Sequence, residues 1–207
     1  MRPLARGYIH QVAFYFAIGI CMMLIWQSHG SRAITCNIIY SISLIGLYGV
    51  SSLYHCHEWS RRNYLRIRSI DHAAIYGLIA GTATPICMLG LKGKLGFEFL
   101  VVVWATAVLG MFIAVFWRHG PKWIKAFFYV ALGWLAVPFS AEIKSSLGVL
   151  NFQLLLAGGV LYTFGAMVYV LRRPDPFPRV FGYHEIFHLL VVIASGFHFA
   201  VIYSLSH

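Results

Sequence analysis

Seven long apolar segments, separated by short polar connections, limit most strongly how this chain can fold. Each is roughly long enough to cross the hydrocarbon core of a bilayer, which takes about 20 residues of helix. Because backbone groups in lipid must be paired within the spanning segment, such segments predict helices. The predicted spans are residues 11–28, 33–57, 70–91, 97–117, 124–142, 151–171 and 183–205. We therefore expect an all-α integral membrane protein with seven transmembrane helices, in a single domain that covers residues 1–207.

The composition agrees with a membrane protein. The chain is 60% hydrophobic and only 11% charged, whereas a soluble domain carries about a quarter charged residues. The net charge of +10 would suggest a nucleic-acid partner, but the basic residues lie in short clusters between apolar segments, so we expect no such partner. The four cysteines form no C-x-x-C pair, which argues against a disulfide framework and against a cysteine zinc site.

The distribution of Lys and Arg predicts the orientation in the membrane. Twelve of these 16 residues lie at the N-terminus and in the second–third, fourth–fifth and sixth–seventh connections, which share one side: Arg2, Arg6, Arg61, Arg62, Arg66, Arg68, Arg118, Lys122, Lys125, Arg172, Arg173 and Arg179. The other side has four: Arg32, Lys92, Lys94 and Lys144. The positive-inside rule therefore predicts a cytoplasmic N-terminus and a C-terminus outside.

Several ionisable residues lie at the cytoplasmic ends of predicted helices. His55 ends the second, Asp71 begins the third, and His184 and His188 begin the seventh. With a rise of about 1.5 Å per residue, these groups lie within roughly two turns of the same interface. Ionisable residues in a membrane are costly and mark candidate functional sites.

The two histidines of the seventh segment belong to the pattern H-E-x-x-H, which in soluble proteins suggests a zinc protease with Glu as the general base. They share one helix face. The 19 residues after His188 hold no Asp or Glu, and His198 is about 15 Å farther along the helix, so His55 is the best third ligand. Three histidines and one open position are the arrangement of catalytic zinc. Glu185 points about 100° away from His184, and it either supports the site or faces the interface.

Two further residues are candidates for the chemistry. Asp71 can accept a proton from the attacking water or orient that water. Alternatively, Asp71 is an acid favoured by the helix dipole in a first turn capped by Ser69. Ser51, one turn from His55, can hydrogen-bond a ligand, the water or a developing oxyanion, or it is a serine that lets two helices pack closely.

The segments "SSLYH", "IDHAAIYGLIAGTATP" and "HEIFHLLVVIASGFHF" resemble the haemolysin III family, which is related to the progestin and adipoQ receptors and, more distantly, to alkaline ceramidases. The resemblance runs from the second to the seventh helix. It implies seven helices and a cytoplasmic N-terminus. It also implies Zn²⁺ held by His55, His184 and His188, with Asp71 in contact with the metal-bound water and Ser51 in the site. One departure is the opening "RGYIHQVAFYF", which lacks the acidic residue of many bacterial members, so the resemblance assigns no site residue to the first helix.

The wider superfamily implies a metal-dependent hydrolase that cleaves an amide or ester bond in a membrane lipid. Bacterial members are linked to haemolysis by name and to membrane-lipid homeostasis, which implies a multi-pass protein of a bacterial inner membrane with lipids as its partners. Two alternatives remain open, namely a zinc-stabilised membrane sensor or regulator without turnover, and a pore-forming haemolysin. An intramembrane protease is disfavoured because no downstream ligand follows H-E-x-x-H.

Overall fold

The computed structural model describes residue 3, residues 5–117 and residues 120–206, which form helices and their connections. In this part of the chain, six helical segments are long and apolar enough to cross a membrane. Two of the twelve basic residues used to predict the orientation, Arg2 and Arg118, lie outside the described residues. The helices are α1 (Tyr8–Gln27), α2 (Ser31–Cys56), α3 (Arg61–Pro85), α4 (Leu95–Phe116), α5 (Lys122–Gly133), α6 (Ser140–Leu171) and α7 (Tyr183–Leu205).

The third helix begins well before the apolar segment that predicted it. Ser60 is the N-cap, and its hydroxyl accepts a hydrogen bond from the backbone N–H of Asn63. The arginine-rich stretch after it is therefore helix rather than loop. Ser69 lies two turns inside α3 and donates its hydroxyl to the carbonyl of Leu65 at 3.0 Å. The interpretation of Asp71 as a first-turn acid capped by Ser69 is therefore wrong. The helix dipole does not explain an acidic residue this far inside α3.

The predicted fifth and sixth spans fall in one helical segment of 50 residues, Lys122–Leu171. A straight helix of that length would measure about 75 Å, far more than the ~30 Å of a hydrocarbon core. The segment is interrupted by a 3₁₀ stretch, Trp134–Phe139, and by Gly148, whose φ of 81° and ψ of 166° are not helical. Trp134 Nε1 donates to Thr163 Oγ1 at 2.8 Å, so the chain reverses direction between these two residues.

The outer surface is apolar and the interior holds polar groups. Phe16, Trp26 and Phe116 are 71%, 89% and 78% exposed, as suits side chains that face lipid tails. Inside, the amide of Asn37 donates to Ser28 Oγ and to Ser206 Oγ, both at 2.8 Å, and so joins the C-terminal ends of α1 and α7 to α2. At the opposite ends of these helices, the same packing brings together the start of α1, the end of α2 and the start of α7.

Candidate functional site

Three histidines converge where α2 ends and α7 begins. His55 is in the last turn of α2, and His184 and His188 are in the first two turns of α7. One ring nitrogen from each lies within 4.8 Å of the other two. His55 Nε2 and His184 Nε2 are 3.3 Å apart. The structure therefore brings together the three histidines that the sequence predicts to lie at one depth.

This arrangement suits one tetrahedral metal ion. Two nitrogens at zinc–nitrogen distances of 2.0–2.1 Å are about 3.3 Å apart in tetrahedral geometry, which matches the His55–His184 separation. The ring of His188 lies 4.6 Å from that of His184 and 5.1 Å from that of His55, measured between centroids. His188 is only 2% exposed, and a small shift of its ring would close the triangle. The residues therefore fit a metal held by three imidazoles, the donor set that favours zinc, copper or nickel over magnesium.

Ser51 and Asp71 lie on the same cavity as the histidines. Ser51 is buried one turn before His55 in α2. The structure thus brings Ser51 of α2 and Asp71 of α3 to the cavity that the three histidines line.

His10 is a site residue that the sequence did not predict. It lies in the first turn of α1, is 3% exposed, and stacks on His188 with ring centroids 3.8 Å apart and planes within 5°. Its Nδ1 is 2.8 Å from Ser51 Oγ, while its Nε2 is buried and has no hydrogen-bonding partner among the described residues. The available signal was an ionisable residue directly before the first predicted span, near the same predicted interface as the other histidines.

Glu185 is not a free carboxylate beside the three histidines. It is 1% exposed, and Arg6 Nε forms an ion pair with its Oε1. Its Oε2 accepts a hydrogen bond of 2.8 Å from the backbone N–H of Gly182, which caps α7. Because both oxygens are engaged, the general-base role that Glu has in soluble H-E-x-x-H proteases does not transfer to this residue. Because Glu185 is buried, the alternative that it faces the interface is wrong.

The chain before α1 packs directly on the site. Gly7 has φ 89°, a conformation that favours glycine, and a Cβ atom there would lie 2.7 Å from His55 Cβ and 2.6 Å from Cys56 Sγ. The backbone N–H of Ala5 donates to the carbonyl of Val180 at 3.0 Å, just before α7. The start of α1 is therefore fastened to both helices that carry the three histidines.

A cavity of about 650 Å³ extends from the histidines through the helix bundle. Along α3 and the turn that follows, its lining runs from Asp71 to Cys87, which is about 24 Å at 1.5 Å per residue. Leu78, Ile79 and Val103 form part of its apolar wall. The volume falls in the usual range for small-molecule sites, and the length makes the cavity narrow. This shape suits an extended acyl chain better than a compact polar solute.

His198, the remaining histidine of α7, also lines this cavity, far from the three-histidine group. Its Nε2 lies 3.2 Å from the carbonyl of Leu155 in α6. His198 therefore joins α6 to α7 in the cavity wall. It does not belong to the three-histidine group.

Comparison with known proteins decides the family. Residues 1–199 match the family described as haemolysin-III related. The chain belongs to this family. The resemblance inferred from its motifs is thus confirmed, and the match also includes α1. Haemolysin III-related proteins similar to this multi-pass chain include "Hemolysin-3" of Bacillus cereus, 33% identical over 201 residues (95% of this chain and 88% of the relative). "Hemolysin-3 homolog" of Bacillus subtilis is 35% identical over 158 residues (76% and 71%). The human "Monocyte to macrophage differentiation factor" is 25% identical over 172 residues (80% and 68%).

Proposed function

We propose that this haemolysin III-related protein is a metal-dependent hydrolase that cleaves an amide or ester bond in a membrane lipid. The observation that carries the proposal is the convergence of His55, His184 and His188 on a long, mostly apolar cavity that also contains Asp71. A metal-binding group beside a proton acceptor supports hydrolysis, and the cavity supports a lipid as the substrate. The role that follows is in membrane-lipid homeostasis.

The three histidines would hold the metal, for which Zn²⁺ is the best fit. When bound, Zn²⁺ polarises the scissile carbonyl and acidifies water. Asp71 is the proton acceptor of the proposal, because it is the only acidic side chain among the described residues that line the cavity. Asp71 takes the proton of the attacking water at a carboxylate oxygen and delivers it to the leaving amine or alkoxide.

Ser51 and His10 orient Asp71 in this mechanism. An ionised carboxylate only accepts hydrogen bonds, so Ser51, which lines the same cavity, would donate its single hydroxyl proton to Asp71. Ser51 then accepts a hydrogen bond from His10 Nδ1–H, which leaves His10 Nε2 unprotonated. This chain of donors favours a positioning role for Ser51, since its proton is not available to a developing oxyanion.

Seven membrane spans and a cytoplasmic site complete the proposal. The reversal within Lys122–Leu171 supports two crossings there, and the positive-inside rule supports a cytoplasmic N-terminus and an external C-terminus in a bacterial inner membrane. An alkaline phosphatase fusion at the C-terminus tests this topology. We expect an active phosphatase, whereas an inactive phosphatase together with a fluorescent C-terminal GFP fusion would refute it.

The test of the function begins with the metal. Elemental mass spectrometry of the purified full-length protein should find about one zinc per chain, and His55→Ala and His188→Ala should each lose it. His57→Ala is the matched control, because His57 is exposed and is not among the residues that line the cavity, and it should keep the metal. A folded wild type that binds no metal would refute the proposal.

Turnover is then measured by mass spectrometry of lipid products, with ceramide as the amide and diacylglycerol as the ester. Asp71→Asn should keep the metal and lose turnover by at least about a hundredfold, the usual scale of general-base catalysis. Undiminished turnover in Asp71→Asn would refute the role given to Asp71. Stoichiometric zinc in a folded wild type that hydrolyses no lipid would instead favour a sensor or regulator.

The name of the Bacillus cereus relative, "Hemolysin-3", supports a second candidate, a pore-forming haemolysin. Dye leakage from liposomes at low protein density separates this candidate from the hydrolase. The proposed function predicts no leakage above that of empty vesicles. Leakage that is equal for the wild type and for Asp71→Asn would favour the pore.

A further inference from the structure

The histidine end of the cavity is strongly basic. Its described lining contains four basic residues, Arg6, Arg68, Lys122 and Lys125, and Asp71 as the only acidic one. Arg6 is neutralised by the buried Glu185. Arg68 and Lys122 then remain beside a single carboxylate, which the proposed mechanism already uses.

These cations lie close to the proposed reaction centre. Arg68 precedes Asp71 by three residues on one face of α3, about 4.5 Å nearer the helix start. Lys122 Nζ is 5.1 Å from the ring centroid of Tyr169, and that ring is 5.5 Å from the ring of His184. A single aromatic ring therefore separates Lys122 from a proposed metal ligand.

Burial distinguishes these residues from basic residues that only set topology. Arg66 lies on the same helix as Arg68 but is exposed, and it is not among the cavity-lining residues. Arg68 and Lys122 are only partly exposed, and both line the cavity. Cations on the wall of a largely apolar cavity stabilise an anion that enters it far more than exposed cations do.

We propose that the cavity takes a lipid with a phosphate group at its head, bound by Arg68 and Lys122, and that this is the substrate class of the enzyme. The inference rests on the proposed function. Arg binds phosphate oxygens in a two-pronged geometry, and Lys binds them as a compact charge. In a phosphorylated lipid the phosphate and the acyl bond are only a few bonds apart. The phosphate at the cations therefore sets the acyl carbonyl beside the histidines and the chain in the apolar cavity.

Matched lipid pairs test the substrate class in the zinc-loaded, full-length protein. The pairs are ceramide 1-phosphate against ceramide for the amide, and phosphatidic acid against diacylglycerol for the ester. We expect kcat/KM to be at least about tenfold higher for the phosphorylated member of the pair that is hydrolysed, the scale of one charge-assisted hydrogen bond. Equal kcat/KM for both members would overturn the inference of a phosphorylated substrate and would not affect the proposed hydrolase function.

Charge-removing variants then locate the phosphate site. Arg68→Gln and Lys122→Gln should each raise KM for the phosphorylated lipid about tenfold more than KM for the unphosphorylated lipid. Arg66→Gln removes the same charge from the same helix outside the cavity and should behave like the wild type. A preference for phosphate that persists in both Arg68→Gln and Lys122→Gln would overturn the assignment.

A binding assay separates this inference from the proposed function. Fluorescent phosphatidic acid is bound to the full-length protein and displaced by unlabelled phosphatidic acid, diacylglycerol, a fatty acid or inorganic phosphate. We expect displacement by phosphatidic acid at about a tenth of the concentration needed for the other lipids. Such a preference in a protein without turnover would refute the hydrolase alone. Equal displacement by a fatty acid, or by inorganic phosphate alone, would overturn the phospholipid assignment.

Discussion

Replacing Glu185 with Gln separates its structural role from the general-base role that H-E-x-x-H suggests. Removing one partner of a buried ion pair costs about 3–5 kcal/mol. Because the Arg6 side chain is 19% exposed and water partly solvates its charge, we expect a loss of roughly 2–3 kcal/mol in the free energy of unfolding. Gln keeps an oxygen that accepts from Gly182 N–H, so the cap of α7 survives. Glu185→Ala loses that cap as well, at a further cost of about 1 kcal/mol.

Two measurements on the purified variant decide between these roles. Unfolding by SDS titration, with loss of helical signal as the readout, should show the destabilisation. Lipid turnover per folded, metal-loaded molecule should fall less than about threefold. A general base at this position would instead cost roughly a hundred- to ten-thousandfold in turnover, with little change in stability. That second pattern would refute our account of Glu185.

A double variant and a surface control make the test specific to the ion pair. Arg6→Gln with Glu185→Gln leaves no unpaired charge, so it should be more stable than Glu185→Gln alone. Glu58→Gln removes the same charge from an exposed residue and should leave stability unchanged. A double variant that is as unstable as the sum of its singles would show that the two side chains are not coupled.

Two other substitutions test the site and the fold. His10→Phe keeps a ring that can stack on His188 but loses the contact with Ser51. We expect elemental mass spectrometry to find unchanged metal content and the lipid assay to find about tenfold lower turnover. Unchanged turnover would refute the positioning role of His10. Gly148→Ala forces a side chain into a backbone conformation that is essentially restricted to glycine. It should lower the free energy of unfolding, measured by SDS titration, by about 1–3 kcal/mol. Steric overlap does not contribute, because nothing lies within 4 Å of the added atom. Gly133→Ala, in helical conformation and equally open space, is its control, and equal stabilities of the two variants would contradict the strain argument.

The sequence predicted the three-histidine group because the direction of each helix and its rise per residue are enough to predict the depth of a residue in the bundle. Alternating helix directions put the end of α2 and the start of α7 on one side, and helical rise then fixes the depth of His55, His184 and His188. Predicting that depth required no side-chain detail.

Contacts between distant residues were not predictable in the same way. Arg6 and Glu185 are 179 positions apart, and each taken alone is an ordinary charge near a helix end. His10 is one polar residue in an apolar helix, which is more often packing than chemistry. The break at Gly148 is also hidden, since glycine is frequent in membrane helices and its φ is not visible in the sequence.

Because α1 and α7 together close the site, the order in which the helices are synthesised determines when the site can form. Two of the three proposed metal ligands lie on α7, which is synthesised after α1–α6, whereas their neighbours His10 and Arg6 lie at the start of α1. The three-histidine group therefore does not exist while the chain is being inserted into the membrane. Metal capture must follow the docking of α7, so a bound ion would report that α7 has packed against α1 and α2 in a newly made molecule.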